Sequence, residues 1–135
     1  MEYRGSRAAK LQARFNIPVL NVMITAIPPA QLQAWFQSVR PLGTPVVLDV
    51  REPSELQTAS LCAKGFTLVT IPMGDVASRL SELDPAQPIA CLCHHGRRSL
   101  QIANFLDSQG FLHVVNVTGG IHAWSLEVDP SVPCY

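Results

Sequence analysis

The chain has 135 residues, enough for one ordinary domain with a single sizeable core and too few for two. Ten basic residues balance ten acidic ones, so no overall field favours nucleic acid or an anionic membrane surface. Four cysteines are too few for a disulfide scaffold and point to a reducing cytoplasm, and 47% hydrophobic content fits a compact globule.

Residues 1–22 hold Arg4, Arg7, Lys10 and Arg14 against the single acid Glu2, and they read as a poorly ordered extension before a domain at 23–135. A basic stretch ahead of the moderately apolar Ile17 to Ile27 also has the outline of a targeting peptide. Pro18, Asn21 and Thr25 interrupt it, and it is too short to span a membrane. Pro28-Pro29 starts a helix whose core side is Leu32, Trp35, Phe36 and Val39, with Pro41 and Gly43 as its stop.

Val46 to Asp49 is a short strand, apolar enough for burial on both faces of a parallel sheet. Glu52-Pro53-Ser54-Glu55 begins a second helix, and Phe66 to Ile71 is a strand closed by Pro72. Val76, Leu80 and Leu83 mark a short helix before Asp84-Pro85. Ile89 to Leu92 then forms a strand that delivers Cys93. From Ser99 to Gln109, Leu100, Ile102, Ala103, Phe105 and Leu106 give one apolar helix face, and Gly110 stops it. Val114 to Val117 supplies another strand, Gly119-Gly120 a turn, and Ile121 to Trp124 a last short helix before an irregular tail at 129–135. Strand and helix alternate throughout, which predicts an α/β sandwich with a mainly parallel sheet and ligands beyond the carboxyl ends of its strands. Asp49 and Cys93 both fall at such ends.

The run Cys93-His94-His95-Gly96-Arg97-Arg98-Ser99 concentrates the chemistry. It opens onto a helix N-terminus, where free N–H groups and the positive end of the macrodipole favour a thiolate over a thiol. Arg97 and Arg98 add positive charge, and Gly96 permits a tight turn of the backbone around the sulfur. This identifies Cys93 as the candidate nucleophile, with His94, His95, Gly96, Arg97, Arg98 and Ser99 as the active-site loop.

That loop resembles the Cys-x-x-Gly-x-Arg-Ser loop of the rhodanese-like sulfurtransferases, matched by Cys93, Gly96, Arg98 and Ser99. Upstream, Val46 to Pro53 is similar to the family's first core strand with its Asp-x-Arg ending. Downstream, Val114 to Trp124 is similar to its last strand, glycine turn and Trp-bearing helix. The chain departs from the pattern between Arg51 and Ile71, where it has no histidine followed by a Gly-Ala turn. The resemblance implies a three-layer sandwich and a two-step cycle. Cys93 takes a sulfane sulfur from a small anionic donor such as thiosulfate, and the persulfide passes it to cyanide or a thiol, a protein acceptor among the candidates.

Arg98 is then the residue expected to fix the loop or the donor anion, while Arg97, His94 and His95 line the mouth. Asp49 and Arg51 read as an ion pair or cap that steadies the strand end. No cofactor and no metal is expected: Cys91-x-Cys93-His94-His95 lacks a second pair at zinc-finger spacing, and Cys91 reads as core. His113 and His122 read as capping or surface residues. Cys62 and Cys134 could serve as resolving thiols only if the fold brings them to Cys93.

Two other readings stand beside this one. A phosphatase or arsenate reductase also places a thiolate in an anion loop, but with five residues between Cys and Arg. Four separate Cys93 from Arg98, while five separate Cys91 from Arg97. A non-catalytic rhodanese-like module for protein binding or sulfur sensing is the other.

Overall fold

The structure, a computed structural model, describes residues 24–135, so the expected extension over 1–22 lies outside the described residues. Among the described residues five strands form one sheet: β1 (Thr25–Ile27), β2 (Val46–Asp49), β3 (Thr67–Thr70), β4 (Ile89–Leu92) and β5 (Val114–Val117). Every pairing is parallel and the order is β1-β5-β4-β2-β3. Four α-helices accompany them among the described residues: α1 (Pro29–Val39), α2 (Pro53–Thr58), α3 (Arg97–Ser108) and α4 (Gly120–Glu127). The α/β class and the parallel sheet follow the sequence reading.

Each strand's alternation divides its side chains between two cores. Val47, Ala90, Leu92, Val115 and Val117 face α1 and α4, where Leu32, Phe36, Ile121 and Trp124 meet them. Val46, Leu48, Ile89 and Cys91 face the other way, onto Ile102, Ala103 and Leu106 of α3. Because β2 and β4 are covered on both sides, all four residues of each are buried, which is why they read as unbroken apolar runs. On the first face, Phe36, Phe66 and Trp124 make successive ring contacts at 5.2 and 6.0 Å.

The strand order fixes where a site can form. From β2 the chain steps outward to β3, then returns to β4 on the other side of β2. Connections leaving β2 and β4 therefore diverge, and a crevice opens beyond their carboxyl ends. Asp49 pairs in register with Leu92, and the Val50 N–H donates to the Leu92 carbonyl at 2.9 Å. Val50-Arg51 and Cys93 thus emerge side by side at that crevice.

Several elements differ from the sequence expectation. The helix expected around Val76, Leu80 and Leu83 is two separate 3-10 turns, Met73–Asp75 and Leu80–Glu82. Val76 and Leu83 still reach the core, and Pro72, Gly74 and Pro85 confine the stretch between them to a length too short for a stable helix. Thr25–Ile27, read as part of an apolar leader-like stretch, is an edge strand on β5. The last helix runs on to Glu127. Helix α3 begins at Arg97, two residues before Ser99, and its buried stripe is Ser99, Ile102, Ala103 and Leu106. Leu100, expected on that face, is exposed instead. The shift matters for function, because it turns the Ser99 hydroxyl inward.

Candidate active site

Cys93 follows β4 directly, and only 1% of it is exposed. Gly96 has φ 104°, ψ −5°, a left-handed conformation that L side chains rarely adopt. This turn brings the Gly96 N–H to within 3.0 Å of Cys93 Sγ. A side chain at Gly96 would also crowd the Gly119 backbone nitrogen, 3.2 Å from the position of a Cβ. The Ser99 Oγ lies 3.2 Å from the same sulfur. The loop thus offers the sulfur one backbone donor and one hydroxyl, which is how a thiolate or persulfide is stabilised away from water.

Asn116, in the middle of β5, organises these donors. Its Nδ2 donates to the Gly96 carbonyl at 3.0 Å, which fixes the amide's orientation and leaves Oδ1 to accept from Ser99 at 2.6 Å. The single Ser99 proton is therefore shared between Asn116 and the sulfur. With Cys93 as a thiol, the S–H can donate to Ser99 and the hydroxyl to Asn116. With Cys93 as a thiolate, the hydroxyl can turn its proton to the sulfur. Sequence reasoning gave Asn116 no role, although a buried amide inside a strand that is otherwise valine was a visible signal.

A second element holds the loop from below. Gly119 and Gly120 have consecutive positive φ values, 76° and 60°, and turn the chain into α4 against the loop. The Ile121 N–H donates to the Cys93 carbonyl at 2.9 Å and the His122 N–H to the His94 carbonyl at 3.1 Å. The free amides of the α4 N-terminus are thus spent on loop carbonyls. A Cβ on Gly120 would overlap the carbonyl oxygens of both Cys93 and His94.

Charged residues form a connected chain beside the thiol. Asp49 and Arg51 are 1% and 0% exposed, and the guanidinium donates from Nε to Oδ1 at 2.9 Å and from Nη2 to Oδ2 at 2.8 Å. Arg51 also donates to the Ala59 carbonyl at 2.8 Å, which ties the loop after α2 to the end of β2. Loss of one partner in such a pair strands a buried charge, at a cost of about 3–5 kcal/mol. From Arg51 the network continues through the Tyr135 hydroxyl, at 3.0 Å, to Glu55 Oε1, at 2.9 Å.

Glu55 in turn meets Arg98 through both oxygens, at 2.7 and 2.8 Å. The Arg98 guanidinium, helped by the Glu52 N–H and the Tyr135 hydroxyl, pulls the Glu55 carboxyl down to about 2. Arg98, expected to fix the loop or the donor anion, therefore spends its fork on Glu55 and anchors the start of α3 to α2. Arg97 is exposed at the first turn of α3.

His94 and His95 lie at the rim. The His94 ring stacks on Tyr135 at 3.8 Å, 6° from parallel, and faces His95 at 3.9 Å. Two rings this close cannot share a face, so His94 lies between them. Desolvation pushes the His94 pKa below its ordinary value, opposed by the Tyr135 backbone. His122, read as a capping or surface residue, meets His95 with ring centroids 5.1 Å apart. Tyr135, read as irregular tail, belongs to the site as well. Nothing local could reveal it, because its hydrogen-bond partners are 80 and 84 residues away in sequence.

The other three cysteines have different partners. Cys91 is buried within β4, and desolvation drives its thiol far above the ordinary range, which removes the Cys91–Arg97 pair as a phosphatase signature. Cys62 lines a groove with Phe36, Phe66 and Trp124 rather than the Cys93 loop. Cys134 contacts the Ser125 hydroxyl. All four cysteines are free. Among the described residues, no helix is long and apolar enough to cross a membrane.

Comparisons with known proteins agree with this architecture. The family model "Rhodanese-like domain" matches residues 28–127. The chain is 36% identical, over 96% of its length and 45% of the relative's, to the Rhodanese-like/PpiC domain-containing protein 12, chloroplastic, of Arabidopsis thaliana. It is 33% identical to the thiosulfate sulfurtransferase GlpE of Pseudomonas syringae, covering 73% of this chain and 84% of that protein. A rhodanese-related protein from Thermoplasma volcanium superposes with a TM-score of 0.65 at 32% identity, covering 82% of this chain and 99% of the other. The chain spans about half the length of some curated relatives, 45% of the Arabidopsis protein and 52% of the putative sulfur carrier protein YrkF of Bacillus subtilis. With its loop, its strand order and its matched residues in agreement, this chain belongs to the rhodanese-like domain family.

Proposed function

We propose that this domain is a sulfurtransferase that works through a persulfide on Cys93. The observation that carries the reading is the sulfur's environment, a buried Sγ met by the Gly96 N–H and the Ser99 hydroxyl at the carboxyl end of β4. In the first half-reaction the Cys93 thiolate attacks the sulfane sulfur of thiosulfate. The S–S bond to the sulfonate breaks, sulfite leaves with the electron pair, and Cys93 carries a persulfide anion. In the second, cyanide or a thiolate attacks the outer sulfur, leaving as thiocyanate or a new persulfide and returning the Cys93 thiolate. Neither step needs a redox partner, and both place negative charge where the loop supplies donors.

Support for the donor class comes from the name of the Pseudomonas relative, a thiosulfate sulfurtransferase. A protein acceptor is supported by the Bacillus relative named as a putative sulfur carrier. The expected cytoplasm is widened to any reducing compartment, since the Arabidopsis relative is chloroplastic by name and the four thiols here are free. The phosphatase reading loses its support with Cys91 buried and the Arg98 fork spent on Glu55.

The decisive experiment is intact mass after exposure to thiosulfate. The protein gains one sulfur atom, cyanide removes it, and Cys93→Ser shows no gain. A gain that persists in Cys93→Ser moves the chemistry to another cysteine and overturns the assignment.

A further inference from the structure

The chemistry proposed above uses no histidine, yet three meet beside the catalytic loop. His94 follows Cys93 directly, His95 is its neighbour, and His122 is carried to them by α4. One ring nitrogen from each lies within 4.8 Å of the other two. The arrangement is held by the backbone, since the His122 N–H donates to the His94 carbonyl at 3.1 Å, and the lack of a side chain at Gly120 lets α4 approach.

Two ring nitrogens in this cluster, Nε2 of His94 and Nδ1 of His122, are buried with no hydrogen-bond partner among the described residues. Buried polar atoms are normally paired, and one orphan beside a glycine-permitted contact would pass as strain. Two orphans on the same three-residue cluster leave ring nitrogens free to pair with a ligand, and one acceptor nitrogen per neutral ring suits a cation.

We propose that His94, His95 and His122 form a three-imidazole site for a divalent transition ion of the zinc class, at the rim of the Cys93 loop. Imidazole is the donor of choice for borderline ions such as zinc, and three protein nitrogens leave one position open. Nitrogens bound to zinc at about 2.0–2.1 Å sit roughly 3.4 Å apart in a tetrahedral site, so binding would draw the three nitrogens closer than the 4.8 Å within which they now lie. An ion there would join the loop to α4 through side chains where the backbone already joins them. The cluster differs from the Cys91-x-Cys93-His94-His95 run weighed in the sequence, because it contains no sulfur and needs a residue 27 positions beyond His95.

The test uses the full 135-residue chain and cobalt(II) as a spectroscopic stand-in for zinc. One equivalent produces d–d absorption without a thiolate-to-cobalt charge-transfer band, and zinc displaces it. His95→Gln, at an exposed position that leaves the fold intact, and His122→Asn each weaken binding by at least about tenfold. Cys93→Ser and His113→Asn bind as the parent does. Undiminished binding in both His95→Gln and His122→Asn, a charge-transfer band, or loss of binding in Cys93→Ser overturns the site. Because the Cys93→Ser arm reads binding and not transfer, failure of the persulfide mechanism would leave this result standing.

Discussion

Cys91 lies within β4 and Cys93 just past its end; the two face the same core and are equally buried, yet their sulfurs meet different partners. Cys91 lies inside β4 among apolar side chains, and its thiol is driven far up in pKa. Cys93 lies one residue beyond the strand, where the chain has been freed from the ladder and can fold a glycine N–H and a serine hydroxyl over the sulfur. Burial alone makes a cysteine inert; burial with donors aimed at the sulfur prepares it to carry charge. Two residues of sequence separate the outcomes because the strand ends between them.

The largest expected effect strikes the support of the Cys93 side. Gly120→Ala places a side chain on two loop carbonyls at a positive φ, and we expect a loss of about 3 kcal/mol in urea unfolding together with slower sulfur loading. A variant as stable as the parent would mean that α4 does not hold the loop. Next comes Ser99→Ala, which removes the hydroxyl from the sulfur and from Asn116. Thiosulfate loading followed by rapid-quench mass spectrometry should slow about ten- to hundredfold, the worth of one hydrogen bond to a charged group. Unchanged loading would leave the Gly96 N–H as the sulfur's sufficient partner.

Cys91→Ala sharpens the contrast from the other side. It should lower stability by about 1 kcal/mol through a small cavity while leaving persulfide formation at the parental rate. Slowed loading would show that the two cysteines are coupled. The smallest effect concerns the ion pair that anchors α3. Glu55 sits at about 2 in the fold against an ordinary 4.5, so its stabilising contribution is complete above pH 4.5 and is lost as pH falls toward 2. Glu55→Gln should therefore cost about 1 kcal/mol at neutral pH, because the pair is part-exposed. The gap between variant and parent should close through that acid window. A gap that stays constant with pH would assign the loss to packing.

Much of the scaffold was legible because its signals are local. Val46–Asp49, Ile89–Leu92 and Val114–Val117 are apolar runs bounded by turns, and burial on both faces of a parallel sheet produces such runs. The Val76–Leu83 segment misled, since core-facing spacing is equally compatible with turns and an isolated 3-10 turn at Leu80–Glu82 in a short stretch bounded by Pro72, Gly74 and Pro85. Asp49 and Arg51 were expected to pair or cap, and they form a buried ion pair.

By itself, the sequence determined the strand-helix alternation, the turn at Gly96 and the position of Cys93 at a strand end, because backbone preference and apolar periodicity act over a few residues. Only the tertiary structure decided what surrounds the sulfur and the rim. Asn116 reaches Ser99 from β5, Glu55 takes the fork of Arg98 across 43 positions, Tyr135 returns from the tail, and His122 arrives on α4. Those contacts depend on which loops the sheet order brings to one crevice, and no window of neighbouring residues contains that order.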